Sequence, residues 1–271
     1  MRRLEKLEAE MLATPDKQIS LTDADARSMA TSGRGSGMVG YNVQAAVDTK
    51  HHLIVAHEVT NVGTDKSQLS AMAKKTKAAL ETDALDVVAD RGYFNSKEIL
   101  ACDEADITVT LPKPLTSGSK ARGRFGKQDF RYVRQDDAYI CPAGERLAYH
   151  FTNVEKGLSL RRYWTGACRS CAIKDRCTTG KERRITRWEH EHVLEAVERR
   201  LDEQPQMMRK RRETVEHPFG TIKSWMGATH FQMRTLKKVG TEMALHVLAY
   251  NLKRVMNILG IRPLIAAILA A

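Results

Sequence analysis

Three segments of this chain set an acidic residue beside cations. Asp48 closes the run Gly40-Tyr-Asn-Val-Gln-Ala-Ala-Val-Asp48, and Asp90 closes Leu85-Asp-Val-Val-Ala-Asp90, which continues Arg-Gly-Tyr93. Glu216 lies within Arg212-Glu-Thr-Val-Glu216-His-Pro-Phe-Gly-Thr-Ile-Lys223. Carboxylates converging from separate elements hold hard divalent cations. Two such ions stabilise the entering and leaving oxygens of an in-line displacement at phosphorus. Each residue also has a plainer reading: Asp90 as a turn or cap, Asp48 as a hairpin turn, Glu216 as a solvated helix position. Glu213 competes with Glu216, and spacing alone does not single out three of the 33 acidic residues.

On a helix, positions seven apart lie within about 20° of one face and positions four apart within about 40°. Arg209, Arg212, Glu216 and Lys223 therefore share a stripe that can turn a carboxylate toward metal and cations toward phosphate. Arginine binds phosphate as a fork and lysine as a compact point charge. Pro218 and Gly220 fall between Glu216 and Lys223, which predicts a kink or restart there.

A second group is Cys168-x2-Cys171-x5-Cys177 with Cys141 upstream. Four thiolates of this kind suit a tetrahedral, structural Zn²⁺. Four reduced cysteines without metal are the alternative, and His190 or His192 could replace one ligand. Cys102, isolated on a helical run, reads as a buried small residue.

The elements that would position these residues follow from periodicity. Residues 2–13 read as a helix stopped by Pro15, and 14–39 as loop ending in Ser32-Gly-Arg-Gly-Ser-Gly37, a flexible lead-in. Val39–Val47 and Leu53–Val59 form a predicted hairpin, 65–81 a helix, Leu85–Asp90 a strand, 96–103 a helix capped by Ser96, and Ile107–Leu111 a strand. Regularity fails from 112 to 188. Helical patterns return at 189–203, 207–226 and 240–259, the last carrying Met243, Leu245, Leu248, Leu252, Val255 and Leu259. Alternating strands and helices predict an α/β fold with a central sheet.

At 271 residues the chain can bury a sizeable core, and its net charge of +11 favours a polyanionic partner. No run reaches the length of a membrane span, so no membrane partner is expected and the protein reads as cytoplasmic, with reduced or metal-bound cysteines. Lys120–Arg134 interleaves cations with Phe125, Phe130 and Tyr132, as a phosphate-tracking, base-stacking segment or a solvated loop. Trp188 and Trp225 read as base-stacking candidates or as core.

Taken together and in order, these motifs resemble the DDE transposases of bacterial insertion sequences. The helix segment of that family reads Tyr-x2-Arg-x3-Glu-x6-Lys and its strand-end segment Asp-x-Gly-Tyr. Here Arg209 stands at the tyrosine position, and Arg212, Glu216, Lys223, Asp90, Gly92 and Tyr93 fit, with Asp48 as the third acid. The resemblance spans about residues 20–260. It implies a ribonuclease-H-like mixed sheet flanked by helices, with a cysteine-containing zinc subdomain inserted before the last catalytic helix. On that reading 1–38 is a lead-in, 39–111 and 189–260 form the catalytic core, 112–188 is the insertion and 261–271 an apolar tail. Asp48, Asp90 and Glu216 would hold two Mg²⁺ (or Mn²⁺) ions, and Arg209, Arg212, Lys223 and Tyr93 would contact phosphate and DNA. The implied partners are double-stranded DNA, as element ends and target, and further copies of the chain, at the bacterial nucleoid. The helical end-recognition region of the resembled enzymes is expected to be missing, which raises a second reading: a catalytically inactive remnant that regulates by binding DNA. A third is a ribonuclease-H-like nuclease acting on another nucleic acid.

Overall fold

The computed structural model describes residues 2–14, 16–29, 37–114 and 118–270. Pro15 and all but the last residue of the predicted lead-in at 32–37 lie outside them. The chain divides into two compact units, one formed by residues 1–112 with 197–271 and the other by 113–196.

The first unit opens with α1 (Arg2–Ala13), β1 (Arg27–Met29) and β2 (Met38–Gly40). The expected first strand of the hairpin is thus divided, since β2 pairs antiparallel with β1. Only β3 (Asn42–Val47) pairs with β4 (Ile54–Thr60), in register from Asn42↔Thr60 to Val47↔Ile54 with an irregularity after Ala46. Helix α2 (Leu69–Ala79) buries Leu69, Met72, Ala73 and Thr76, the i, i+3, i+4, i+7 stripe of an amphipathic helix. Next come β5 (Leu85–Val88), α3 (Ser96–Asp103) and β6 (Ile107–Thr110), a strand–helix–strand unit whose two strands pair in parallel. The N-cap of α3 is Asn95 rather than Ser96, because the Asn95 side chain accepts the Lys97 N–H.

The mixed α/β character is as the pattern predicts. A single central sheet is not formed: β3–β4 and β5–β6 are separate two-stranded ladders. The strands ending in Asp48 and Asp90 are therefore not hydrogen-bonded neighbours. Residues of both strands line one cavity of about 940 Å³ instead.

The second unit holds β7 (Arg131–Val133), β8 (Ala138–Ile140), β9 (Arg146–Glu155), β10 (Leu158–Trp164) and β11 (Ile185–Trp188). These form one antiparallel meander in the order β11-β10-β9-β8-β7, where the sequence predicts irregular structure. Its core is Phe130, Tyr139, Leu147, Tyr163 and Ile185. Three of the five strands are only three or four residues long, and most residues of β9 are exposed, so neither length nor alternation announces them. Phe130 belongs to this core, Tyr132 and Phe125 pack against it, and the Arg176 guanidinium lies over the Phe125 ring. These aromatics serve packing, which overturns the reading of Lys120–Arg134 as a stacking platform.

Helix α4 (Glu191–Glu203) begins where Glu191 folds back to accept the Trp188 N–H at 3.0 Å and Lys127 Nζ at 2.6 Å. Then follow α5 (Met207–Gly220), a π-turn at Thr221–Trp225, α6 (Leu236–Leu259) and α7 (Ile261–Ala270). Pro218 is accommodated inside α5, and the helix changes to π geometry three residues later. Helix α6 buries Val239, Met243, Val247 and Tyr250, whereas Leu245, Leu248, Leu252 and Leu259 of the predicted stripe are exposed. What selects the buried face is the hairpin: Tyr250, Met243 and Val247 join Ile54 and Ile222 in one core cluster. From the same helix the Asn251 amide accepts the Ile54 N–H at 2.9 Å and donates to the Ile54 carbonyl at 2.8 Å.

Two outcomes are expected. Asn251→Ala strands both backbone groups of the buried Ile54 and lowers the unfolding free energy by about 2–4 kcal/mol, read as a shift of the urea midpoint. The second concerns Glu191, which is buried. Burial raises its pKa, but the Lys127 ammonium and the Trp188 N–H outweigh that and hold it below the ordinary glutamate value of 4.5. A folded-state pKa below the unfolded one contributes stability that is complete above 4.5 and is lost as the pH falls through the lowered value. Glu191→Gln is therefore less stable than the parent at neutral pH, and the gap narrows below about pH 4.5 in thermal melts.

Candidate active site and cysteine centre

The cavity of the first unit is lined by β3, the turn from β3 to β4, one face of α2, β5 with the residues that follow it, and one side of α5. Asp48 follows β3 and starts the turn to β4, where its carboxylate accepts the N–H groups of Lys50 at 3.2 Å and His51 at 2.5 Å. Burial raises its pKa. These two donors and the neighbouring imidazoles of His51 and His52 more than offset that, leaving it below the usual carboxylate value. Asp90 caps the short turn Arg91–Tyr93. One oxygen accepts the Gly92 N–H at 2.8 Å, and the other accepts Arg211 Nη2 of α5, also at 2.8 Å.

Asp65 completes the acidic side of the cavity. Its Oδ1 accepts amide N–H groups from Asn42 and Gln44, each at 2.8 Å. Gln44 is fully buried and accepts the Tyr93 hydroxyl on its Oε1. Burial, followed by the charges of Asp65 and Asp90, raises the Tyr93 pKa well above the ordinary phenol value, so the hydroxyl stays a donor. The two carboxylates straddle Gly92. A Cβ there would stand 3.0 Å from Asp90 Oδ1, so that carboxylate would have to give by a few tenths of an ångström, and 3.4 Å from Asp65 Oδ2, an ordinary van der Waals contact.

Helix α5 lines the cavity with Lys210, Arg211, Thr214, Val215 and Phe219. Arg212 and Glu216 on α5 and Lys223 in the π-turn are exposed and are not among the lining residues. Arg209 pairs with Glu213 at 2.8 Å on an exposed face. The structure thus brings Asp48, Asp90 and Tyr93 around one cavity and leaves Arg209, Arg212, Glu216 and Lys223 outside it. Among the described residues no group of three or more His, Cys, Asp or Glu side chains is placed to hold a metal ion. A three-carboxylate metal centre does not fit this arrangement as it stands. Sequence reasoning passed over Asp65 and Gln44 and did not pair Arg211 with Asp90. Asp65 and Arg211 carry no local signal, and for Gln44 only its inward register on β3 could have drawn notice. Trp188 is buried, while Trp225 is 82% exposed.

In the second unit, Cys141, Cys168, Cys171 and Cys177 line one small space of about 20 Å³ together with Phe125, Phe130 and Leu147. That is room for about one water-sized occupant. All four are free thiols. Burial raises the Cys177 pKa, the Arg183 guanidinium lowers it, and the other three sulfurs raise it again. His190 and His192 do not line this space. Cys102 is fully buried on α3, as its isolation implies.

Residues 140–256, from β8 to near the end of α6, match the family model described as a transposase DDE domain. The match covers somewhat under half of the chain. It contains Glu216 and the four clustered cysteines, while Asp48 and Asp90 precede it. It supports a DDE-type transposase, the class whose motifs this sequence resembles, and DNA is the substrate of that class. No curated protein and no solved structure matches the chain. No helix among the described residues is long and apolar enough to cross a membrane.

The Gly92 contacts make a direct test. Gly92→Ala should crowd Asp90 Oδ1 and shift that carboxylate, and the Tyr93 hydroxyl, whose pKa the Asp90 charge helps to raise, should report it. A shift of the tyrosine ultraviolet titration relative to the parent is expected, and an unchanged titration with an unchanged melting temperature would contradict this packing.

Proposed function

We propose that this chain is the catalytic part of an insertion-sequence transposase, cutting and rejoining duplex DNA at element ends and target. The observation that carries the reading is the delivery of Asp48 and Asp90 to one cavity opposite the cations Lys210 and Arg211, in a chain that matches the DDE-domain model. Asp48, Asp90 and Glu216 would be the ligands of divalent ions, Mg²⁺ or Mn²⁺, whose charge would stabilise the oxygens of a transferring phosphoryl group. Glu216 stands outside the cavity in this conformation, so binding of those ions requires α5 to present a different face. Arg212 and Lys223, exposed on and just after α5, suit phosphate contact, as does Arg209 once released from Glu213. Tyr93, held as a neutral donor, orients Gln44 and through it Asp65. A second copy on DNA would let two element ends be joined, and action on DNA implies the nucleoid. The fold that supports such chemistry is the ribonuclease-H-like one, in which the β3–β4 and β5–β6 pairs would be portions of one sheet.

The second unit is proposed to hold a structural Zn²⁺ on Cys141, Cys168, Cys171 and Cys177. The donor set suits zinc, and the four thiols already border one small space. Zinc would draw them onto one centre and tie the loop 166–180 to the β8–β9 turn.

Two experiments test the proposal. Supercoiled plasmid should be nicked by the parent with Mg²⁺, and Asp48→Asn, Asp90→Asn or Glu216→Gln should each reduce nicking by at least about 100-fold. Retention of nicking by any one removes that residue from the set, and no nicking by the folded, DNA-binding parent returns the remnant reading. For the cysteines, about one zinc per chain is expected by elemental analysis. Cys168→Ser should lose it and melt at lower temperature, whereas a zinc-free chain that stays folded excludes the centre.

A further inference from the structure

Helix α6 is apolar on two sides. One side buries Val239, Met243, Val247 and Tyr250, the last three packed with Ile54 of the hairpin. The other carries Leu245, Leu248, Leu252, Val255 and Leu259, spaced alternately by three and four residues. At about 100° per residue the two sides lie roughly 160° apart around the helix. The four leucines are 47–63% exposed, and Val255 is half-buried. Helix propensity does not ask for this pattern, since any good helix former would serve at each position. A three-four alternation held from 245 to 259 is the seam of a coiled coil, in which each apolar side chain enters a gap between four side chains of a facing helix.

We propose that the leucine seam of α6 binds the same seam of a second copy of the chain, giving a two-fold dimer that needs no DNA. Charge selects that occupant first. The seam and its flanking positions Ala244, Ala249, Asn251, Met256 and Ile258 carry none, so this face offers nothing to a polyanion and lets like meet like without repulsion. Symmetry selects it as well. The heptad spacing calls for a helix of matching spacing, and a two-fold axis makes one self-complementary surface serve both partners. The helix is also formed before it pairs. The core and the bonds from Asn251 and Arg254 to the hairpin hold its other side, so association carries little ordering cost. The four leucines expose roughly 400 Å² per copy, and two seams with their flanks would bury about 1,000–1,200 Å², the lower end for a specific interface. That area makes the association micromolar rather than permanent. Such a dimer does not depend on the chemistry of the cavity that holds Asp48 and Asp90.

The test is sedimentation velocity of the nuclease-treated full chain between about 1 and 100 μM. Half-dimerisation is expected at about 5–50 μM. Leu248→Lys combined with Leu252→Lys sets like charges in the middle of the seam and should raise that midpoint at least about 50-fold, leaving a monomer throughout. Both positions are exposed in the single chain, so the thermal melt of the dilute variant should match the parent. Leu245→Gln, a milder change, should weaken association about five- to tenfold and decides the matter if the double variant does not fold. Val154→Lys removes a comparably exposed apolar side chain from β9 and should leave the midpoint unchanged. Raising the salt from about 0.15 to 0.5 M should leave dimerisation unchanged or strengthen it, because only the repulsion between two basic chains is screened. A parent that stays monomeric up to about 100 μM overturns the seam. So does a dimer that survives the seam variants, is weakened equally by Val154→Lys, or falls apart in high salt as a DNA-bridged pair would.

Discussion

The candidate site depends on a clamp between the long helix α6 and the turn that carries Asp48, about 200 positions earlier in the chain. Tyr250 donates to the His52 carbonyl at 2.6 Å, Asn251 takes both backbone groups of Ile54, and Arg254 donates twice to the His51 carbonyl. His51 and His52 belong to the turn and Ile54 opens β4, and side chains of one helix satisfy the backbone groups there that the ladder leaves over. Asp48 in turn accepts the N–H groups of Lys50 and His51. The carboxylate is held by a turn whose carbonyls are held by a helix, so its position is set by long-range contacts more than by the strand before it.

Electrostatics supply the other half of the site. Four aspartates border one cavity, Asp48, Asp65, Asp86 and Asp90, and three of them are compensated by different means: Asp48 by backbone N–H groups, Asp65 by side-chain amides and Asp90 by a guanidinium. An acidic site compensated largely by neutral dipoles keeps its negative potential, whereas the Arg211 pair cancels one charge. The exposed stripe of Arg209, Arg212, Glu216 and Lys223 forms a separate surface, suited to contact with a polyanion.

The second unit shows how short strands escape a reading by periodicity. Strands β7, β8 and β11 have three or four residues, and β9 exposes most of its length. Their stability comes from Tyr163, Tyr139 and Leu147, which lie apart in sequence and meet only once the meander closes. The cysteines were visible as a cluster in the chain. Their common small space is a property of the closed meander, because Cys141 reaches it from the β8–β9 turn and the other three from the loop after β10.

The chain itself determined the element types wherever local periodicity was strong: the stripe of α2, the β5–α3–β6 unit, and the start of α4 near residue 190. It also carried the transposase motifs in order, with Asp48 and Asp90 each closing a run of strand residues. Periodicity decides whether a segment is helix or strand, because that choice is made by nearest neighbours along the backbone. It does not decide which face of a helix turns inward when two faces are equally apolar or equally charged. Tertiary contacts made that choice twice, burying Val239, Met243, Val247 and Tyr250 of α6 rather than its leucines, and turning Arg211 rather than Glu216 of α5 toward Asp90. The same contacts brought in Asp65 and Gln44, whose roles arise from partners distant in sequence and leave no local trace.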